Sequence, residues 1–170
     1  MRASLSATAK LPEGVTFEEA SSFPVNAATS AAALFGSGGF DFAAPFPECE
    51  ADPTTDLSSN GSRAIVVIGG GSNVGKLAIQ FARIAKVRRV ITVASASNDA
   101  HLRTLGATHV IDRYLSNEAI VAEVRKALND ANDGALSVYD CVSWDFSLAI
   151  SIVSPTEPSI IACLHPAEKL

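Results

Sequence analysis

Seven consecutive residues carry most of the chemistry in this sequence: Gly69-Gly70-Gly71-Ser72-Asn73-Val74-Gly75. Glycines this dense let a backbone turn sharply, and a helix starting behind them presents amides that have no intrahelical acceptor. Phosphate suits such a turn, because free N–H groups and the positive end of a helix both favour an anion. Gly69 and Gly71 make a G-x-G, and Gly75 falls one residue later than G-x-G-x-x-G requires. The run Gly70–Lys76 also spells G-x-x-x-x-G-K, the phosphate loop of triphosphatases, with Val138-Tyr139-Asp140 offering an acidic strand end. Leu77 stands where that chemistry needs a Ser or Thr hydroxyl for magnesium, and it fits the apolar stripe of a helix instead. The dinucleotide reading is preferred.

The elements around the turn agree with it. Ala64 to Ile68 is a continuous apolar run, as expected of a strand buried on both faces of a parallel sheet. Val74, Leu77, Ala78, Phe81, Ala82 and Ala85 share one face of a helix. A second strand follows at Val90–Ala94, then a helix capped by Ser97 or Asn98 and ending at Gly106. A strand at His109–Asp112, a helix over 117–129, a strand at Leu136–Val142, a helix at Phe146–Val153 and a strand at Ser159–Leu164 complete the pattern. Strand and helix alternate at the spacing of right-handed βαβ units, so the fold class is α/β: a doubly wound parallel sheet in three αβα layers. Residues 1–35 form a lead-in helical segment broken at Pro24, with Thr16 and Glu19 at capping-box spacing. Residues 36–62, rich in Gly, Pro, Ser, Asp and Asn, form a long surface loop or insertion, and 63–170 the sheet domain. Asn60-Gly61-Ser62 matches a glycosylation sequon and carries no assignment without a leader peptide.

The end of the second strand selects the ligand. A site for NAD places Asp or Glu there to bind the ribose 2′-hydroxyl. This sequence has Val93-Ala94-Ser95-Ala96-Ser97-Asn98, with no acid before Asp99. A carboxylate would repel the 2′-phosphate of NADP(H), whereas small hydroxyl residues leave room for it, so Ser95 is expected to contact that phosphate, supported by Ser97 and Asn98. The same gap weakens an S-adenosylmethionine reading.

Composition bounds the remainder. The 170 residues are 48% hydrophobic and 18% charged, enough for one sizeable core. The formal charge of -5 is concentrated in residues 1–62, and neither part carries the clustered Lys and Arg of a nucleic-acid footprint. No apolar run is long enough to span a bilayer, and the first ten residues are not expected to act as a secretory signal. Three cysteines without CxxC spacing indicate neither a disulfide framework nor zinc, which gives the expectation of a soluble cytoplasmic protein. His101 and His109 are expected to face solvent, Cys141 and Cys163 to be buried small hydrophobes, and Trp144 and Phe146 to be core.

The segment GGGSNVGKLAIQFARIAKVRRVITVASASNDAHLRTLGATHVID resembles the cofactor domain of the medium-chain dehydrogenase/reductase superfamily, in particular its zinc-free quinone-reductase and enoyl-reductase branch in fungi. LPEGVTFEEASSFPVNAATSAAALF is similar to the lead-in helices of that family, and VYDCVSWDFSLAISIVSP to its fourth strand and following helix. The resemblance implies a Rossmann fold, NADP(H), and hydride transfer to a polarised C=C or C=O of a quinone, enone or enoyl substrate. It matches Gly69, Ser72 and Gly75 to the A-x-x-G-x-x-G turn of the branch; Ser72 replaces the middle glycine, so its hydroxyl is expected to donate to the pyrophosphate in place of close backbone approach. Asn73 and Val74 open the helix beside it. The resemblance sets Thr29 near the nicotinamide, and the backbone from Cys141 through Val142 to Ser143, with Cys163 and Leu164, along the nicotinamide ribose and ring. It implies that a catalytic domain and a tail lie outside this chain, which is then expected to be the cofactor half of an oxidoreductase; a non-catalytic nucleotide-binding or interaction module is the alternative. Homo-oligomerisation through the edge of the fifth strand is expected, because an apolar edge with unpaired backbone groups recruits another chain.

Overall fold

A computed structural model describes residues 10–45, 57–128, 136–153 and 158–165. Helices α1 (Phe17–Ser21) and α2 (Phe23–Phe35) come first. The capping box at α1 forms: the Thr16 hydroxyl oxygen accepts from the Glu19 amide, and the Glu19 carboxylate accepts from the Thr16 amide and hydroxyl. The chain breaks at Ser22, not at Pro24, which sits in the first turn of α2 where a missing N–H leaves no bond unmade.

Five strands, β1 (Ala64–Ile68), β2 (Arg89–Ala94), β3 (His109–Asp112), β4 (Leu136–Asp140) and β5 (Ser159–Cys163), form one parallel sheet in the order β3-β2-β1-β4-β5. Between them run α3 (Asn73–Ile84), α4 (Asp99–Leu105), α5 (Asn117–Leu128) and α6 (Ser147–Ile152). Ile65, Val67, Tyr139 and Cys141 point into a core roofed by α2, α3 and α4. Ala64, Val66, Ile68 and Val138 point into the opposite core under α5 and α6. Both faces of β1 are therefore buried, which is why its sequence shows no alternation. The three-layer, doubly wound arrangement follows.

The stretch expected to be a surface loop is partly core. Residues 46–56 lie outside the described residues, but Phe40 and Phe42 on one side of them and Asn60 on the other are buried. The chain doubles back on α2, with the Phe40 amide bonded to Ala33 O and the Phe42 amide to Leu34 O. A Cβ on Gly39 would collide with the Ala33 and Ala32 carbonyls, so only glycine permits that approach. The Arg63 guanidinium lies 4.3 Å from the centre of the Phe42 ring and donates to Phe40 O and Asp41 O. Asn60 donates to Ala43 O and Ala85 O and accepts from the Ala43 amide. A sequon whose asparagine is used in this way is a structural corner, not an acceptor for sugar.

Candidate functional site

The strand order reverses between β1 and β4, and the crevice beyond the carboxyl ends of strands at such a point is where open α/β sheets hold ligands. A cleft of about 440 Å³ lies there. Its floor is Ile68, Val93 and Ala94 from the strand ends, with Gly69, Gly71 and Ser72 along one side and Ile120 and Leu148 on another.

The turn is built from backbone bonds. Gly69 has φ +84, a conformation that favours glycine, and its amide and that of Gly70 both donate to Val93 O, tying the turn to β2. Ser72 is the N-cap of α3: its hydroxyl donates to Gly69 O at 2.8 Å and accepts from the Gly75 amide at 3.0 Å. The serine hydroxyl expected to donate to a phosphate is thus committed to the cap. The amides of Asn73 and Val74, the first two of α3, have no intrahelical acceptor, and the positive end of a 12-residue helix stands behind them. A Cβ on Gly75 would run into Gly69 O and lie 2.8 Å from the Gly70 Cα, so this glycine serves helix–turn packing. A Cβ on Gly71 would meet only Asn98 Nδ2, at 3.0 Å, and would otherwise project into the cleft.

The far rim is made of side chains. Ser95 and Asn98, after β2, line the cleft, while Ser97 is exposed outside it and shares a 2.9 Å hydrogen bond with the Ser95 hydroxyl. Neither Ser97 nor Asn98 caps α4 through its side chain. Arg113, one residue past β3, lies on the same rim because β3 pairs with β2 in a register that sets Asp112 beside Ala94; the Arg113 amide donates to Ala94 O. Its guanidinium stacks 4.8 Å from the Tyr114 ring and donates to the Tyr114 hydroxyl. Asn117, the first residue of α5, completes the rim. Reading each strand end separately missed Arg113 and Asn117; the signal was the pairing of β2 with β3, which neither strand shows alone. Among the described residues lining the cleft there is one cation and no carboxylate. Asp99, the first acid after β2, is held by Arg103 at 2.9 Å.

At the other end, Val142 lines the cleft, and its methyl groups press on Gly69, within 2.9 Å of where a Cβ would stand. Cys141 does not line it: the side chain is in the α2/α3 core, and burial, then the neighbouring Asp140 charge, pushes its thiol well above the ordinary range. Thr29 and Cys163 lie together in a separate groove of about 460 Å³ between α2, the turn at Gly36–Gly39 and the ends of β4 and β5. Thr29 donates its hydroxyl to Val25 O within α2. Cys163 is exposed rather than buried, its thiol bonded to His165 O. Asn73 is exposed at the start of α3, and Val74 packs against the core with its carbonyl accepting from Ser30. Phe146 is core as expected, whereas Trp144 is 75% exposed and stacked on His165. His101 and His109 are on the surface.

This arrangement fits a dinucleotide: a glycine cradle that a side chain would fill, a helix N-terminus for pyrophosphate, and polar side chains on the β2–β3 rim. Among the described residues no cluster of His, Cys, Asp or Glu could hold a metal ion, and no helix is long and apolar enough to cross a membrane. The family described as Zinc-binding dehydrogenase matches residues 73–161. Dehydrogenase pigH of Monascus ruber is 31% identical over 131 residues, 77% of this chain and 33% of its own length. Trans-enoyl reductase himH of Aspergillus japonicus is 35% identical over 104 residues, 61% of this chain and 27% of its own. A crystal structure of a putative zinc-dependent alcohol dehydrogenase from Rhizobium etli CFN 42 superposes with a TM-score of 0.64 at 26% identity, over 93% of this chain and 41% of that one. The chain spans about a third or less of the length of these curated relatives.

Proposed function

The chain belongs to the zinc-binding dehydrogenase family, within the medium-chain dehydrogenase/reductase superfamily, and we propose that its cleft binds NADP(H) in preference to NAD(H). One observation carries the preference: among the described residues the rim at the end of β2 has no carboxylate, and β3 brings Arg113 to the side of Ser95. An acid there would repel a 2′-phosphate, whereas a guanidinium and hydroxyls pair with it. Pyrophosphate lies at the amides of Asn73 and Val74. When bound, the cofactor supplies hydride; the chain's residues hold and orient it. In this reading residues 63–170 are the NADP-binding domain, to which Phe40, Phe42 and Asn60 of the 36–62 segment are joined by packing.

The likeness to a trans-enoyl reductase and to dehydrogenases supports hydride transfer to a polarised C=C or C=O, on an enoyl, enone or quinone substrate. The cysteine usage supports a reducing, cytoplasmic setting. We also read β5 as a surface for self-association. It pairs only with β4 among the described strands and exposes Ile160, while Ile161 packs inward against the α5/α6 core. Ile160→Lys is expected to abolish any dimer seen by light scattering, and a monomer in the unsubstituted chain would remove this reading.

Calorimetric titration tests the cofactor. NADPH is expected to bind more tightly than NADH; Arg113→Ala should weaken NADPH about tenfold and leave NADH unchanged. Ser95→Asp should reverse the order. Equal affinities, or tighter NADH, would overturn the preference. Assays with enones and quinones then separate an active oxidoreductase from a module that binds cofactor without turnover.

A further inference from the structure

Asp140 is a buried carboxylate that the cofactor reading leaves without a role. It is the last residue of β4, is 1% exposed, and sits opposite Ile68 at the switch point of the sheet. One oxygen, Oδ1, accepts from two successive amides, Val142 at 3.1 Å and Ser143 at 2.9 Å. The other, Oδ2, is buried without a hydrogen-bond partner among the described residues. A buried carboxylate oxygen left unmatched is costly, so a residue serving stability alone is a poor choice here. The two amide bonds fold the chain into a tight turn immediately beyond the strand. That turn presses the Val142 methyl groups onto Gly69, and it carries Trp144 outward to stack on His165 at 3.7 Å between ring centres.

We propose that Asp140 is a positioning residue for the nicotinamide half of the cleft, acting through Val142. The inference rests on the dinucleotide reading given above. The adenosine half of a dinucleotide lies over the strand whose end reads the ribose 2′ position, here β2. The other nucleotide crosses the switch point toward β4, where Val142 forms the wall. The height of that wall over Gly69 is set by the Asp140 carboxylate, because among the described residues no other side chain bonds the Val142 and Ser143 amides. Asp140 touches no ligand in this scheme; it fixes the residue that does.

The split between whole and half ligand tests this on the 170-residue chain. NADPH spans both halves, whereas 2′,5′-ADP carries only the adenosine half with its 5′-phosphate, reaching from the β2–β3 rim to the Asn73 and Val74 amides. Asp140→Ala is expected to weaken NADPH about tenfold while changing 2′,5′-ADP by less than about twofold. Asp140→Asn keeps an acceptor at Oδ1 and is expected to restore most of the lost affinity. Trp144, the only tryptophan of the chain, reports the turn independently through its stacking on His165: Asp140→Ala should lower its fluorescence anisotropy, and Asp140→Asn should not. If Asp140→Ala does not fold, Val142→Ala carries the same comparison and should also weaken NADPH but not 2′,5′-ADP. Equal loss of both ligands, or NADPH affinity unchanged in these variants, overturns the proposal and leaves the cofactor reading standing. Failure of the unsubstituted chain to bind either ligand overturns the cofactor reading, and this inference with it.

Discussion

The two ends of the cleft are built on opposite principles. At the β1–β4 end the wall, including the Val142 side chain, is set by backbone: Gly69 at positive φ, Gly75 against the Gly69 carbonyl, a serine consumed by a helix cap, and a turn held by a buried carboxylate. At the β2–β3 end the wall is exposed or half-buried side chain: Ser95, Asn98, Arg113 and Asn117. Backbone walls tolerate little substitution, because each atom is also part of the fold. Side-chain walls change ligand preference at small cost to folding. One end keeps the shape of the site and the other chooses what it accepts.

Substitution at the glycines breaks this contrast if it is wrong, and Gly75→Val should have the largest effect. Its Cβ meets backbone that cannot move aside, so stability should fall by about 3 kcal/mol or more, read from urea or thermal unfolding. A native-like melting temperature would show that the turn yields. Thiol chemistry comes next. In the folded chain Cys163 should react with a thiol reagent about a hundredfold faster than Cys141, because one is exposed and the other buried with a raised pKa. Peptide mapping distinguishes the two, and comparable labelling would mean that the β4 end opens readily.

Gly71→Ala sharpens the comparison from the other side. The new methyl meets only the flexible end of Asn98, so the melting temperature should hold while NADPH affinity drops about tenfold. Loss of folding instead would place Gly71 with Gly75. The smallest effect lies beyond the rim at His109. Partial burial, then the charges of Arg103 and Arg89, holds its pKa below the ordinary histidine value. The folded state therefore keeps His109 neutral where the unfolded chain takes up a proton. Its contribution vanishes well above about pH 6.5 and turns destabilising as pH falls through that value toward the folded pKa. His109→Gln should accordingly melt nearer to the unsubstituted chain at about pH 7.5 than at about pH 5.5, with the variant gaining at the lower pH.

Much of this was legible in the residues. Continuous apolar runs marked β1 and β2, a 3.6-residue period marked α3, and the absence of an acid after β2 pointed to the rim that the structure makes polar and free of carboxylate. What escaped was set by tertiary contact. Phe40 and Phe42 lie among glycines with no period to reveal them, and they are core because Gly39 lets the chain return along α2 and Arg63 covers the ring. Arg113 has no local signal either, since only the pairing of β3 with β2 brings it to Ser95. Ser72 departs visibly from the glycine pattern, but the sequence alone does not show that its hydroxyl closes the cap.

The central strand also sets an order of events in time. β1 pairs with β2 across a single helix, whereas its other neighbour, β4, comes only after β3 and α5. As the chain is synthesised, β1, β2 and β3 are available to pair before the partner for the second edge of β1 exists. Until β4 arrives, Ala64–Ile68 presents an apolar strand with one row of backbone groups unsatisfied, the surface on which nascent chains aggregate. Closing the switch-point crevice, and with it the ligand cleft, must therefore wait for β4, a parallel partner distant in sequence.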